Sequence, residues 1–173
     1  MAPVPDVVIR PARTSDIRDV RRLVEEYARQ RILLGKELIT LYEAVQEFVV
    51  AERGGKVVGC GALHVLWEDL AEVRTLAVDP SARGTGTGHL ILSELLRRAD
   101  ALGVGRLFCL TFETAFFERH GFVEIEGTPV EPDVYAEMLR SHDEGVAEFL
   151  DLARVKPNTL GNSRMLRVAE GER

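Results

Sequence analysis

The chain has 173 residues, 46% hydrophobic and 29% charged, with a formal net charge of −6. This is a globular profile, not a disordered one, and it is long enough for one domain with a core that needs no disulfide or metal. The acidic balance and the lack of a concentrated basic run exclude nucleic acid as main partner, and no apolar run approaches the about 20 residues of a membrane span.

The N-terminus, MAPVPDVV, has neither the charged region nor the apolar core of a signal peptide, so a cytoplasmic protein is expected. VVIRPA, from Val7, reads as a short strand halted by Pro11. A helix is expected over TSDIRDVRRLVEEYARQ. Thr14 or Ser15 would cap it, Asp16 suits its positive end, and Ile17, Val20, Leu23, Val24 and Tyr27 form one face. RILLGKELIT reads as a loop leading to a second short helix through Val45.

EFVVAER and KVVGCGALHVLW flank Gly54-Gly55, a hairpin signal, and a third strand, LAEVRTLAV, runs into Asp79-Pro80. A helix is predicted from about Gly88 through GHLILSELLRRADALG, with Leu90, Ile91, Leu95 and Ala99 in its stripe and Gly103 at its end. RLFCLTF is a buried strand, ETAFFERHGF a short helix closed by Gly121, and FVEI another strand. Two helical patterns follow, separated near Ser141: Val134, Met138 and Leu139, then Val146, Phe149, Leu150 and Leu152. Ser163 to Val168 reads as the last strand. The fold class is α/β to α+β: a mixed sheet with helices on both faces, in a single domain over 1–173 with a helical insert around 131–154. That insert suits a lid, a homodimer contact or a solvated helical pair.

Cys60 and Cys109 sit in apolar runs with no CxxC, and His64, His89, His120 and His142 have no metal-ligand spacing. Buried thiols in a reducing compartment and no metal site are expected. The chemistry concentrates in RGTGTG, between the third strand and its helix. The first amides of a helix lack intrahelical acceptors, the dipole adds partial positive charge, and glycines let the backbone approach a phosphate. Arg83 adds a cation. A P-loop needs a lysine that is absent, and a dinucleotide fingerprint needs GxGxxG after the first strand of a parallel unit. The glycines alone are also consistent with a plain strand-to-helix connection.

Arg83-Gly84-Thr85-Gly86-Thr87-Gly88 resembles the Q/R-x-x-G-x-G/A signature of the GCN5-related N-acetyltransferases (GNAT). LAVDPSARGTGTGHLIL resembles their acetyl-CoA motif throughout, and FFERHGF their later F-x-x-x-G-F segment. AEVRTLAV, LFCLTFETAFFERHGF, the tail from Val134 and the ending NSRML resemble the short-form bacterial amino-acid N-acetyltransferases that make N-acetylglutamate. The resemblance implies the GNAT fold, with a mostly antiparallel mixed sheet, and transfer of an acetyl group from the cosubstrate acetyl-CoA to glutamate or glutamine. It places this at the first step of arginine biosynthesis, with a small-molecule amino acid as partner.

The same resemblance puts the CoA pyrophosphate on the amides from Arg83 through Gly84, Thr85, Gly86 and Thr87 to Gly88. It puts the pantetheine arm beside Leu76, Ala77 and Val78, whose main chain would bond it. The Leu76 and Val78 side chains also suit plain core packing. Deprotonation of the substrate ammonium is assigned to Glu72, which by period two shares a face with Arg74, Leu76 and Val78. An exposed Arg–Glu pair is the alternative, and Glu113 is a second carboxylate better suited to capping the helix after it. Family members that protonate the leaving thiolate often use a tyrosine where this chain has Phe116 and Phe117. The Thr111 hydroxyl is the substitute by analogy with a serine or threonine in glutamate acetyltransferases; an ordinary strand residue, with the thiolate leaving unassisted to solvent, is the alternative. Substrate carboxylates call for Arg74, Lys36, Ser163 and Arg164, with Asn158 and Asn162 for a polar end; solvated surface cations are the alternative for Lys36 and Arg164. Rival expectations are an acetyltransferase for another small amine, a polyamine or a protein N-terminus, and an acyl-CoA-binding regulator without turnover.

Overall fold

In the computed structural model, the described residues are 6–29, 37–156 and 161–170. They divide into two compact units, Met1–Leu63 with Val73–Ala101, and His64–Glu72 with Leu102–Arg173.

In the first unit, strand β1 (Val8–Pro11) pairs antiparallel with β2 (Phe48–Arg53), and β2 with β3 (Lys56–Trp67), Val50 facing Cys60. Strand β4 (Leu70–Val78) lies beside β3. Helix α1 (Ile17–Arg29) buries the predicted stripe of Ile17, Val20, Leu23 and Val24. With Leu41 of the short α2 (Leu38–Glu43), that stripe packs on Phe48, Val50, Cys60, Ala62 and Ala77. Helix α3 (Thr87–Leu102) meets the other face of β3. There a Cβ on Gly59 would sit 2.7 Å from Ile91 Cδ1, and one on Gly61 2.8 Å from Ile91 Cγ2. Residues 59 and 61 point opposite to Cys60 in a pleated strand, so α1 and α3 cover opposite faces. Helices on both faces of the sheet are thus borne out.

The start of α1 differs from expectation. Thr14–Asp16 form a 3-10 turn, and the carboxylate of Asp16 accepts from the Arg13 amide at 2.7 Å. Arg10 donates to both Asp16 oxygens, at 2.8 and 2.9 Å, and to Glu52 at 2.8 Å. A carboxylate bonded from two sides terminates the helix better than a hydroxyl, and it ties α1 to β1 and β2. The Arg10 hydrogen bonds hold the Asp16 carboxyl below its usual value, outweighing the burial that pushes it up. A depressed carboxyl pKa stabilises the fold above the unfolded value and loses that share as pH falls through the folded one. Asp16→Asn is therefore expected to cost about 2 kcal/mol at pH 7 and less at pH 3, measured by urea titration at both values. An equal loss at both would contradict the assignment.

In the second unit, Leu70–Glu72 of β4 pair in parallel with β5 (Arg106–Thr111), Glu72 opposite Phe108. Strand β7 (Ser163–Val168) runs antiparallel to β5 over its whole length and to the two-residue β6 (Val123–Glu124). Both parallel and antiparallel pairs therefore occur, giving the mixed sheet. Helix α4 (Thr114–Glu118) is followed by a turn closed at Gly121, φ +87°, with Phe117 and Phe122 packed edge to face. Helices α5 (Pro132–Met138) and α6 (Glu144–Phe149) are not a solvated pair. Met138, Val146, Phe149 and Leu150 join Leu66, Leu70, Phe108 and Leu166 in one core, and the Phe108 and Phe149 rings meet edge to face at 5.3 Å. Asp143 caps α6 by accepting from the Val146 amide at 3.1 Å.

Candidate active site

The first unit holds the strand, turn and helix of the glycine motif. Asp79 closes β4: its Oδ1 accepts from the Ser81 amide and hydroxyl, and its Oδ2 from Arg22. The Ser81 hydroxyl and amide lead in holding that carboxyl below its usual value. Gly84 and Gly86 take φ of +74° and +84°, the left-handed region, and a Cβ at either would meet nothing within 4 Å. The turn is thus open above both residues. Gly88 is different, lying inside α3, which starts at Thr87 instead of Gly88. The Leu90 amide bonds the Gly86 carbonyl, and the first amides of α3, at Thr87 and Gly88, project from the helix end. Arg83 commits its own amide to the Pro80 carbonyl at 3.4 Å and lays its guanidinium 5.0 Å over the Tyr27 ring. Thr85 and Thr87 share a 2.9 Å hydroxyl contact that stiffens the turn.

Strand β4 is not regular before the turn. Thr75 has φ +58°, costly for a β-branched residue, and its buried hydroxyl has no partner among the described residues. Its carbonyl accepts from the Cys60 thiol at 3.4 Å. The even alternation expected from Glu72 to Val78 is therefore interrupted between Arg74 and Leu76. Past the interruption, Leu76 leans toward Gly61, Ala77 joins the core with α1, and the Val78 main chain bonds the Tyr27 hydroxyl. Nothing in the residue type announces the kink, because the position holds a threonine, not a glycine.

The second unit holds the remaining candidates. Glu72 is 4% exposed, which removes the exposed Arg–Glu pair as its reading. Its charge adds to burial in raising the Cys109 thiol well above its usual value. Burial likewise pushes Cys60 up to about 12, so both thiols are inert, unbridged core groups. Thr111, at 9% exposure, ends β5 three residues beyond Phe108, the partner of Glu72. Its Oγ1 accepts from the Glu113 amide at 2.8 Å, which leaves the hydroxyl proton to point elsewhere. Glu113 occupies the N-cap position of α4 without a side-chain capping bond, so Thr111, not Glu113, fixes the start of that helix.

Thr111 faces Ser163 across β7, and Leu110 faces Arg164. Ser163 donates to Glu124 at 2.7 Å. Arg164 donates to the carbonyls of Glu148, Gly127 and Phe149 and stacks over Phe108 at 5.7 Å. It gathers the last two carbonyls of α6 and that of Gly127, a structural duty the sequence does not reveal. Arg164→Ala is expected to lower stability by about 2–4 kcal/mol, read as a fall in Tm. An unchanged Tm would contradict that duty. Beside Arg164 a cavity of about 200 Å³ is also lined by Asn162, Lys156, Asp151 and Glu148. Asn162 Oδ1 is buried there without a partner among the described residues. Lys36 and Asn158 lie outside the described residues. Among the described residues no cluster of three His, Cys, Asp or Glu could hold a metal, and no helix is long and apolar enough to cross a membrane.

Residues 44–124 match the acetyltransferase (GNAT) domain family. The chain is 64% identical to the amino-acid acetyltransferase of Mycobacterium tuberculosis over 93% of its own length and 94% of that enzyme's. A crystal structure from M. tuberculosis in complex with CoA and NLQ superposes with a TM-score of 0.90 at 64% identity, covering 93% of this chain and 98% of that one. N-acetylglutamate synthase from Neisseria gonorrhoeae, complexed with coenzyme A and N-acetyl-glutamate, superposes with a TM-score of 0.75 at 25% identity. That match covers 94% of this chain and 35% of the synthase, so this chain spans about a third of that enzyme.

Proposed function

The chain belongs to the GNAT acetyltransferase family, and from that premise we propose that it acetylates the α-amino group of L-glutamate, or of its amide L-glutamine. It is an acyltransferase with acetyl-CoA as cosubstrate and a small amino acid as acceptor. The observation that carries the reading is the 64% identity to an amino-acid acetyltransferase across nearly the full length of both chains. On this reading the whole chain works as one acetyltransferase domain.

The pyrophosphate lies against the turn after β4, where Gly84 and Gly86 keep side chains away and the first amides of α3 face outward. The pantetheine arm follows Leu76, Ala77 and Val78. Glu72 removes a proton from the substrate ammonium, and the freed amine attacks the thioester carbonyl. A C–N bond forms and the C–S bond breaks. The Thr111 hydroxyl gives its proton to the departing sulfur and takes the second proton that the nitrogen sheds as the amide forms, its oxygen held by the Glu113 amide. Arg74, Ser163 and Arg164 supply the cationic and hydroxyl groups suited to the substrate carboxylates. Asn162 offers an unfilled acceptor to an amide or ammonium. The product, N-acetylglutamate, is the entry point of arginine biosynthesis, and the reaction is placed in the cytoplasm.

Thiol release from acetyl-CoA tests this with glutamate, glutamine, spermidine or no acceptor. Release with glutamate or glutamine alone is expected. Release with spermidine would favour a different acceptor class. Thermal stabilisation by acetyl-CoA without turnover on any acceptor would make the chain a regulator.

A further inference from the structure

The edge of β4 that faces away from β3 pairs with β5 only along Leu70–Glu72. The Asp79 amide points to β3, donating to the Val58 carbonyl at 2.8 Å. Successive residues of a strand direct their main-chain groups to opposite sides, so the N–H and C=O of Val78 point away from β3. Both are taken by one atom. The Tyr27 hydroxyl donates to the Val78 carbonyl at 3.0 Å and accepts from the Val78 amide at 3.2 Å. A phenol with one proton and lone pairs satisfies both halves of a peptide edge, as an amide of an added strand would.

We propose that Tyr27 is a positioning residue whose hydroxyl competes with the amide arm of the cosubstrate for the main chain of Val78. The inference rests on the reading above that this arm runs along Leu76 to Val78. An arm carrying secondary amides bonds an open strand edge as a further strand would, one N–H and one C=O at a time. The Tyr27 hydroxyl covers the Val78 groups, sparing the edge an unsatisfied pair, and it yields them as the arm docks. The same ring carries the Arg83 guanidinium at 5.0 Å. Release of Val78 thus frees the ring that orients the cation at the head of the phosphate turn, and docking of the arm is coupled to docking of the diphosphate. Tyr27 is half-buried in the last turn of α1, its ring packed against the core of Ile17, Val20, Leu23 and Val24, so its hydroxyl yields Val78 by a small shift of the ring tip.

The test is Tyr27→Phe, which keeps the ring and deletes the competing hydroxyl. Calorimetric titration with CoA should give a Kd three- to tenfold lower than wild type, roughly the worth of one or two neutral hydrogen bonds no longer broken on binding. KM for acetyl-CoA should fall with it, while kcat and the KM for glutamate stay within about twofold. A tyrosine that only props up the fold would lower Tm and leave CoA affinity unchanged or weaker, and either affinity result overturns the proposal. Should Tyr27→Phe fail to fold, ring-labelled tyrosine in the wild-type chain gives a second reading. Tyr42→Phe and Tyr135→Phe assign the three tyrosine resonances, and CoA should move that of Tyr27. A Tyr27 resonance that stays put at saturating CoA overturns the proposal. Wild-type protein that binds no CoA would overturn the cosubstrate reading itself, a failure distinct from tight binding that Tyr27→Phe leaves unaltered.

Discussion

Glu72→Gln is expected to lower kcat by about a hundredfold or more while the Kd for acetyl-CoA stays within about twofold. Glutamine fills the same buried volume, so the packing of a residue only 4% exposed is preserved. What it lacks is the capacity to take a proton. At neutral pH an amino acid arrives as its ammonium, which has no lone pair, and chemistry waits on that proton. Substrate binding involves the carboxylates more than the ammonium, so the KM for glutamate should move less than kcat. A pH–rate profile gives a further check, since the rate of the variant should climb with pH as the free amine becomes abundant. Unchanged turnover at neutral pH would remove Glu72 as the base and leave its burial as a purely structural fact.

Gly86→Val is expected to raise the Kd for CoA by about thirtyfold or more while the chain still folds. A Cβ there would meet no atom within 4 Å, so the folding cost lies mainly in the backbone, about 1–3 kcal/mol for a β-branched residue at φ +84°. The affinity cost has two sources. Relaxing the strain moves the amides of the turn, and the new methyl groups stand where a diphosphate approaches. Gly103→Val separates these effects from general destabilisation. Gly103 also has positive φ, +77°, and open space above it, but it lies at the far end of α3. It should lose comparable stability and keep its CoA affinity. Equal affinities for wild type and Gly86→Val, measured by titration, would count against the turn as the diphosphate site.

Much of the fold was legible because its signals are local. The period of Ile17, Val20, Leu23 and Val24 marks a helix wherever it occurs, and all four are buried. Gly54-Gly55 between β-rich runs makes a hairpin through the dihedrals of two residues. The glycine turn and the helix after it are written in the continuous stretch 83–103. Boundaries were less legible. The strand read from FVEI shrinks to Val123–Glu124, and the helix expected through Val45 stops at Glu43 with a 3-10 turn after it. Ends are settled by hydrogen bonds to other elements, not by propensity.

The site divides the same way. The sequence by itself determined the amphipathic faces, the strand–turn–helix and the residue types able to hold a phosphate or move a proton, because side-chain period and backbone freedom are properties of short windows. Only the tertiary structure decided what those residues touch. It buried Glu72, bent β4 at Thr75, and turned Arg164 onto three carbonyls. It also brought Tyr27 onto Val78 across 51 residues of chain. Each of these depends on which distant backbone groups are left without partners once the strands have paired, and no short window of sequence carries that information.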